Sequence, residues 1–345
     1  MNDLLDQHLI LESGPGTSSG GRRPVMLLFN ESAGYSLGID IGVNYILAVV
    51  TDLQGNIHNE QFTKIGNLTF EETLNETYSI IDELIVSLPK SPYGVIGIGI
   101  GVPGLVKNGR VLMAPNISWK NVDLKKLVEE KYNTPVVIQN EANAGAYGEK
   151  KFGAGKPYND IVYISIGIGI GAGFILNGKL HEGHNGLTGE VGHMTINMNG
   201  PLCNCGNKGC WELYASEQSL INMALEYNII KGNPEEKTLE WLISLAENEN
   251  EQALKIINKL SDYILVGLNN IINSYNPEQI IIGNRLATLQ NWLEEPLKQN
   301  ISTHPLVSHQ KDLQLHFSML EKKSAALGVS AFVTDSFFSK NQLTN

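Results

Sequence analysis

Tyr35-Ser-Leu-Gly-Ile-Asp-Ile-Gly42 and Ile161-Val-Tyr-Ile-Ser-Ile-Gly167 decide the fold. Each reads as a buried strand that ends on glycine. Each is followed closely by a second strand, Tyr45 to Thr51 in the first case and Ala172 to Asn177 in the second. In the first repeat a third strand, Ile57 to Phe62, follows Leu53-Gln-Gly-Asn56, and the short spacing indicates a β-meander. Two units that both begin with strand, Gly-rich turn and strand point to a duplicated α/β architecture with a cleft between two lobes.

Around these openings, helical periodicity covers 70–88, 122–132, 142–150, 216–228, 235–247 and 250–275, with a closing helix at 322–338. Strands are expected at 94–101, 135–139 and 279–283. The division this implies is residues 1–32 as an N-terminal element, 33–150 as a first lobe on which 322–338 packs back, and 151–321 as a second lobe. In the first element, residues 4–11 read as a helix end entering a strand. A loop from Ser13 to Gly21 and Arg22-Arg23-Pro24 then leads to a second strand, Val25 to Phe29.

The chain has 345 residues, 42% hydrophobic and 18% charged, as an ordinary globular protein does. Its apolar runs are broken before membrane-spanning length. Met1 is followed by Asn2, Asp3 and Asp6, with no secretory signal, so the expected compartment is the cytoplasm. A net charge of −11 argues against a body that grips nucleic acid electrostatically, although a local basic element can still touch DNA.

All three cysteines lie between positions 203 and 210, ten to seventeen residues after His193. An odd count so tightly clustered argues for a metal rather than disulfides. Four protein ligands, His193, Cys203, Cys205 and Cys210, leave no open position for a catalytic water, so the expected ion is a structural zinc.

Gly189-Glu-Val-Gly-His193 followed by Cys203-x-Cys205-Gly-x-x-Gly-Cys210-x-Glu212 resembles the signature of the ROK family of repressors, open reading frames and sugar kinases. Gly38-Ile-Asp-Ile-Gly42, Gly101-Val-Pro-Gly104 and Asn140-Glu-Ala-Asn143 extend the likeness over nearly the whole chain. The resemblance implies an actin-like (ribonuclease H-like) ATPase fold, usually as a dimer or tetramer. It also implies a sugar site at Asn140, Glu141, Glu190, His193 and Glu212, whose carboxylates and amide suit vicinal hydroxyls. His193 can then ligate the metal through one ring nitrogen and meet sugar with the other.

The kinases of the family depart from this chain at four places. They carry Asp as the base where Glu141 stands, and one added methylene displaces the carboxylate by roughly an ångström. Their first phosphate turn reads Asp-x-Gly-Gly-Thr-Lys, against Asp40-Ile-Gly-Val-Asn-Tyr45 here. Ile168 replaces a Thr in the second turn, and Gly283-Asn-Arg-Leu-Ala287 replaces a Gly-rich turn near the adenosine. No catalytic residue and no bound ATP are therefore expected.

Residues 9–24 resemble the wing of the winged-helix DNA-binding domain in ROK repressors, with Arg22 and Arg23 as candidate DNA contacts. Val43-Asn44-Tyr45 and Asn140-Glu141-Ala142-Asn143 resemble the xylose-repressor branch. The helix-turn-helix expected ahead of the wing is almost absent, so operator binding is expected only with a complete winged helix. The reading is a sugar-responsive repressor, probing xylose or glucose in the cleft as a homodimer. An ATP-dependent sugar kinase and a sugar-binding protein without DNA binding are the alternatives.

Overall fold

The computed structural model describes residues 2–15, 25–227, 229, 238–303 and 312–342. Arg22, Arg23 and most of the expected wing loop lie outside the described residues, as do the expected helix ends at 228 and 235. A short helix α1 (Asn2–Asp6) leads into a hairpin of β1 (Ile10–Pro15) and β2 (Val25–Phe29), paired antiparallel. Tyr93 Oη donates to Gln7 O at 2.8 Å and Asn30 Nδ2 to His8 O at 2.8 Å, tying this element to the body.

The first large sheet begins with β3 (Tyr35–Ile41), β4 (Tyr45–Thr51) and β5 (Ile57–Lys64), the expected antiparallel meander. Every residue of β3 and β4 is buried, which is why they read as unbroken apolar runs. Helix α2 (Phe70–Val86) starts at a capping box in which Thr69 and Glu72 satisfy each other's backbone donors. Strand β6 (Val95–Val102) then pairs parallel to β3.

The next stretch differs from expectation. Between 102 and 122, where no element was foreseen, β7 (Leu105–Lys107), β8 (Arg110–Ala114) and β9 (Trp119–Val122) form a small antiparallel sheet. Asn108 and Gly109 both have positive φ, at 52° and 78°, so the β7–β8 link is the two-residue Asn-Gly turn that hairpins favour. Helix α3 (Leu124–Tyr132), capped by Asp123, begins only after this sheet ends. Strand β10 (Val136–Asn140) pairs parallel to β6, and α4 (Glu141–Lys151) follows at once, capped by Asn140.

The second large sheet repeats the first. Strands β11 (Ile161–Ile166) and β12 (Ile170–Leu176) are antiparallel, and β13 (Lys179–Leu180) extends them. Helices α5 (Glu212–Ala215), α6 (Glu217–Glu226), α7 (Leu239–Glu247) and α8 (Glu251–Tyr275) precede β14 (Gln279–Gly283), which pairs parallel to β11. Helix α9 (Gln290–Thr303) and β15 (Gln314–Phe317) complete the set. The strand orders β10-β6-β3-β4-β5 and β15-β14-β11-β12-β13 match position for position. Helix α9 and β15 were not foreseen, and Pro296 inside α9 breaks the pattern that would have announced it.

The last helix, α10 (Ser324–Gln342), returns to the first sheet. Glycine makes that approach: a Cβ on Gly38 would run into Ala326 O, and one on Gly99 into Val329 O. Ser36 Oγ meets Ser330 Oγ at 2.8 Å across the same contact. Helix α10 also crosses α4 on small residues, because Gly328 lies against Ala144 O and Gly148 against Ser324 O.

Candidate functional site

A cavity of about 640 Å³ is lined by residues of both large sheets and of the β7–β9 sheet. Its walls come from the turn after β3, the first turn of α4, the β8–β9 loop, the Gly-rich turn after β11, the loop around His193 and the turn after β14. Asn140, Glu141, Glu190, His193 and Glu212 all face it. No helix among the described residues is long and apolar enough to cross a membrane.

At one edge, His193 closes a 3-10 turn (Val191–His193), and the cysteine loop folds back to it. Positive φ at Gly206 (91°) and Gly209 (65°) allows that tight return. One ligand atom each from His193, Cys203, Cys205 and Cys210 fall within 4.8 Å of one another. Cys205 Sγ lies 3.6 Å from Cys210 Sγ, and Cys203 Sγ lies 3.7 Å from His193 Nδ1. A tetrahedron with metal–sulfur bonds of about 2.3 Å has edges close to these. The group can hold a metal ion. Nδ1 faces the sulfurs, while Nε2 points to Glu190 Oε2 at 3.8 Å.

The carboxylates gather beside it. Asn140 accepts from Ala142 N and Asn143 N through its Oδ1 and donates to Gly104 O at 2.9 Å, which fixes the start of α4. Glu141 Oε1 accepts from Ser165 Oγ at 3.3 Å. Glu212 Oε1 lies 3.3 Å from His193 Nδ1. Burial raises the pKa of Glu141, against the Ser165 bond, and Glu190 adds to the rise. Burial raises Glu190 as well, with His193 opposing and Glu212 adding. The Glu190 carboxylate accepts no hydrogen bond from the described residues, so its oxygens stand open to the cavity.

Two further residues were missed. The Asn116 amide and Glu212 Oε2 both flank Gly169, at 3.5 and 3.0 Å from where its Cβ would be. Trp119, edge-on to Phe70, has a buried Nε1 with no partner among the described residues. Asn116 lies in the 3-10 turn between β8 and β9 and Trp119 opens β9, and the Asn108-Gly109 pair was the signal that could have revealed this sheet.

The other end of the cavity is built differently. Tyr45 Oη donates to Asp40 Oδ2 at 2.7 Å, and its ring lies over Gly42, where even a Cβ would collide with it. Burial and the nearby Glu141 push Asp40 up to about 8, against the Tyr45 bond. Arg285 is held by Glu217 at 2.7 and 3.0 Å and by Glu240 at 3.0 Å. Asn284 donates through Nδ2 to Ser165 Oγ at 2.9 Å.

The sequence matches the ROK family over residues 36–336. It is 43% identical over 338 residues to the xylose repressor of Bacillus spizizenii, covering 98% of this chain and 86% of that one. To the glucokinase of Streptomyces coelicolor it is 31% identical over 287 residues, covering 77% and 87%. Among solved structures it is similar to a ROK family transcriptional regulator described as a homologue of the E. coli MLC protein, with a TM-score of 0.82 and 27% identity. That match covers 99% of this chain and 88% of the other. The chain belongs to the ROK family.

Proposed function

We propose that this ROK-family chain is a sugar-responsive transcriptional repressor of the xylose type. One observation carries the reading: the cavity presents the open Glu190 carboxylate at one end, while at its other end Tyr45, Asn284 and Arg285 are hydrogen-bonded to the chain's own side chains. A ligand is held by donors and acceptors still unused, such as the Glu190 carboxylate, the second Nδ2 proton of Asn140 and the free lone pairs of Glu141, because displacing an internal bond returns little net energy. Asn140, Glu141, Glu190, His193 and Glu212 bind the monosaccharide, and Asn116 reaches it from the turn between β8 and β9. Likeness to the Bacillus repressors at 43% identity, against 31% for the glucokinase, supports the regulator over the enzyme.

In this reading the metal is a structural zinc bound by His193, Cys203, Cys205 and Cys210, whose soft thiolates and imidazole suit that ion. Bound there, it neutralises the thiolates and stiffens the loop. His193 Nδ1 is the ligating atom, which leaves Nε2 beside Glu190 to meet a sugar hydroxyl. Residues 1–32 form the wing element, 33–150 with α10 the first lobe, and 151–321 the second. Arg22 and Arg23 contact DNA phosphates when a complete winged helix is present, in a cytoplasmic homodimer. Sugar favours one lobe geometry and thereby biases operator affinity.

Calorimetric titration of the metal-replete protein with xylose and with glucose, beside an ADP-release assay on both sugars, tests this. Xylose binding without turnover is the expected result. Turnover in the usual kinase range of about 1–100 per second would assign the chain to the kinases.

A further inference from the structure

Asn284, in the turn after β14, has φ 63° and ψ −155°. That region is essentially reserved for glycine, and a side chain persists there only where surrounding bonds over-determine it. Those bonds are specific. The Arg285 backbone N–H donates to the Asn284 amide at 2.8 Å, and a backbone N–H can only donate. The atom facing it is therefore Oδ1, which leaves Nδ2 to donate to Ser165 Oγ at 2.9 Å. With its oxygen accepting that bond, the Ser165 hydroxyl turns its proton toward Glu141 Oε1, 3.3 Å away. Ser165 is itself buried at 3% exposure, so water does not compete for this chain of bonds.

We propose that Asn284 is a positioning residue for sugar recognition: acting through Ser165, it aims the Glu141 carboxylate into the cavity. The inference rests on the sugar site described above. It gives the turn that would face a nucleotide in a kinase a different task, support of the opposite end of the cleft. Glycine would fit that backbone with less strain, and the structure keeps asparagine because its amide reaches Ser165.

The proposal separates binding from stability. Asn284→Gly accommodates the same backbone and removes only the side-chain bonds. Asn284→Ala keeps the strain without the bonds and should melt at a lower temperature than Asn284→Gly. Titration of the metal-replete protein with xylose and with glucose should show Asn284→Gly and Ser165→Ala each weakening binding roughly threefold to tenfold. The double variant should bind no worse than the weaker single, since both changes break one chain of bonds. The melting temperature of Asn284→Gly should equal or exceed that of the parent. Unchanged sugar affinity in Asn284→Gly while Ser165→Ala binds weakly would overturn the proposal, as would losses that multiply in the double variant. If the parent protein binds neither sugar, the sugar-site reading fails first and leaves Asn284 nothing to position.

Discussion

At one end of the cavity the carboxylate of Glu190 faces open space beside His193, Glu212 and the start of α4. At the other, Tyr45, Asn284 and Arg285 bond to Asp40, Ser165 and Glu217. Both ends line the same cavity, but at the first the Glu190 carboxylate faces the open space, whereas at the second the unpaired acceptor, Asp40 Oδ1, is buried behind Tyr45. A ligand can take up the open Glu190 oxygens in place of solvent, whereas groups bonded within the chain have less to offer it. The same fold can thus retain one half of a site and close the other by side-chain substitution alone.

The largest expected effect comes from breaking the link between the open end and its metal. Cys210→Ser should take metal content from about one ion per chain to well below it and lower the melting temperature by roughly 5–15 °C. Sugar affinity should fall with it, since His193 loses the ion that orients it; elemental analysis, calorimetry and titration read the three effects. Retained metal with unchanged stability would detach the loop from the site. Next in size, Glu190→Ala should weaken xylose binding by about 1–3 kcal/mol, because sugar hydroxyls are then left unpaired. Equal affinity in the variant would move the sugar elsewhere in the cavity.

The closed end should report on pH instead. Asp40 is pushed up to about 8 in the folded chain, against 3.8 ordinarily, so between those values the folded state holds a proton the unfolded state has lost. Its contribution is intact below about pH 4 and declines as pH rises to about 8. Asp40→Asn, whose amide oxygen can still accept from Tyr45, should flatten the fall in stability across that window. Denaturant melts at pH 5 and pH 8 compare the slopes, and parallel slopes in parent and variant would contradict the assignment. The smallest effect is expected at Arg285→Ala, which should leave xylose affinity within about twofold, since its ion pairs lie at the closed end. A tenfold loss would show the two ends to be one site.

Much of the open end was legible because its residues are adjacent in sequence. Glu190, His193, the three cysteines and Glu212 fall within 23 positions, and their chemistry fits few purposes. The two strand-turn-strand openings were legible for the same reason, as local apolar patterns punctuated by glycine. What escaped is what depends on distant partners or on weak local signal. Asn284 read as a lost glycine, and its use emerges only through Ser165, 119 residues away. Asn116 and Trp119 escaped because the Asn108-Gly109 turn was passed over and the strands it joins are short. Helix α9 escaped because Pro296 stands where a helix pattern should continue.

The contact of α10 with β3 has a consequence for how the chain is made. Ser36 and Ser330 meet across 294 residues, so the first sheet cannot be covered until nearly everything else has been synthesised. At ribosomal rates of about 5–20 residues per second, that interval is roughly 15 to 60 seconds. Meanwhile β3 and β6 lack the helix that buries one face, and non-local closure of this kind slows folding. The second sheet has all its strands by Phe317, before α10 exists. The half of the molecule that is begun first is therefore finished last, and it is the half a nascent-chain chaperone would have most reason to hold.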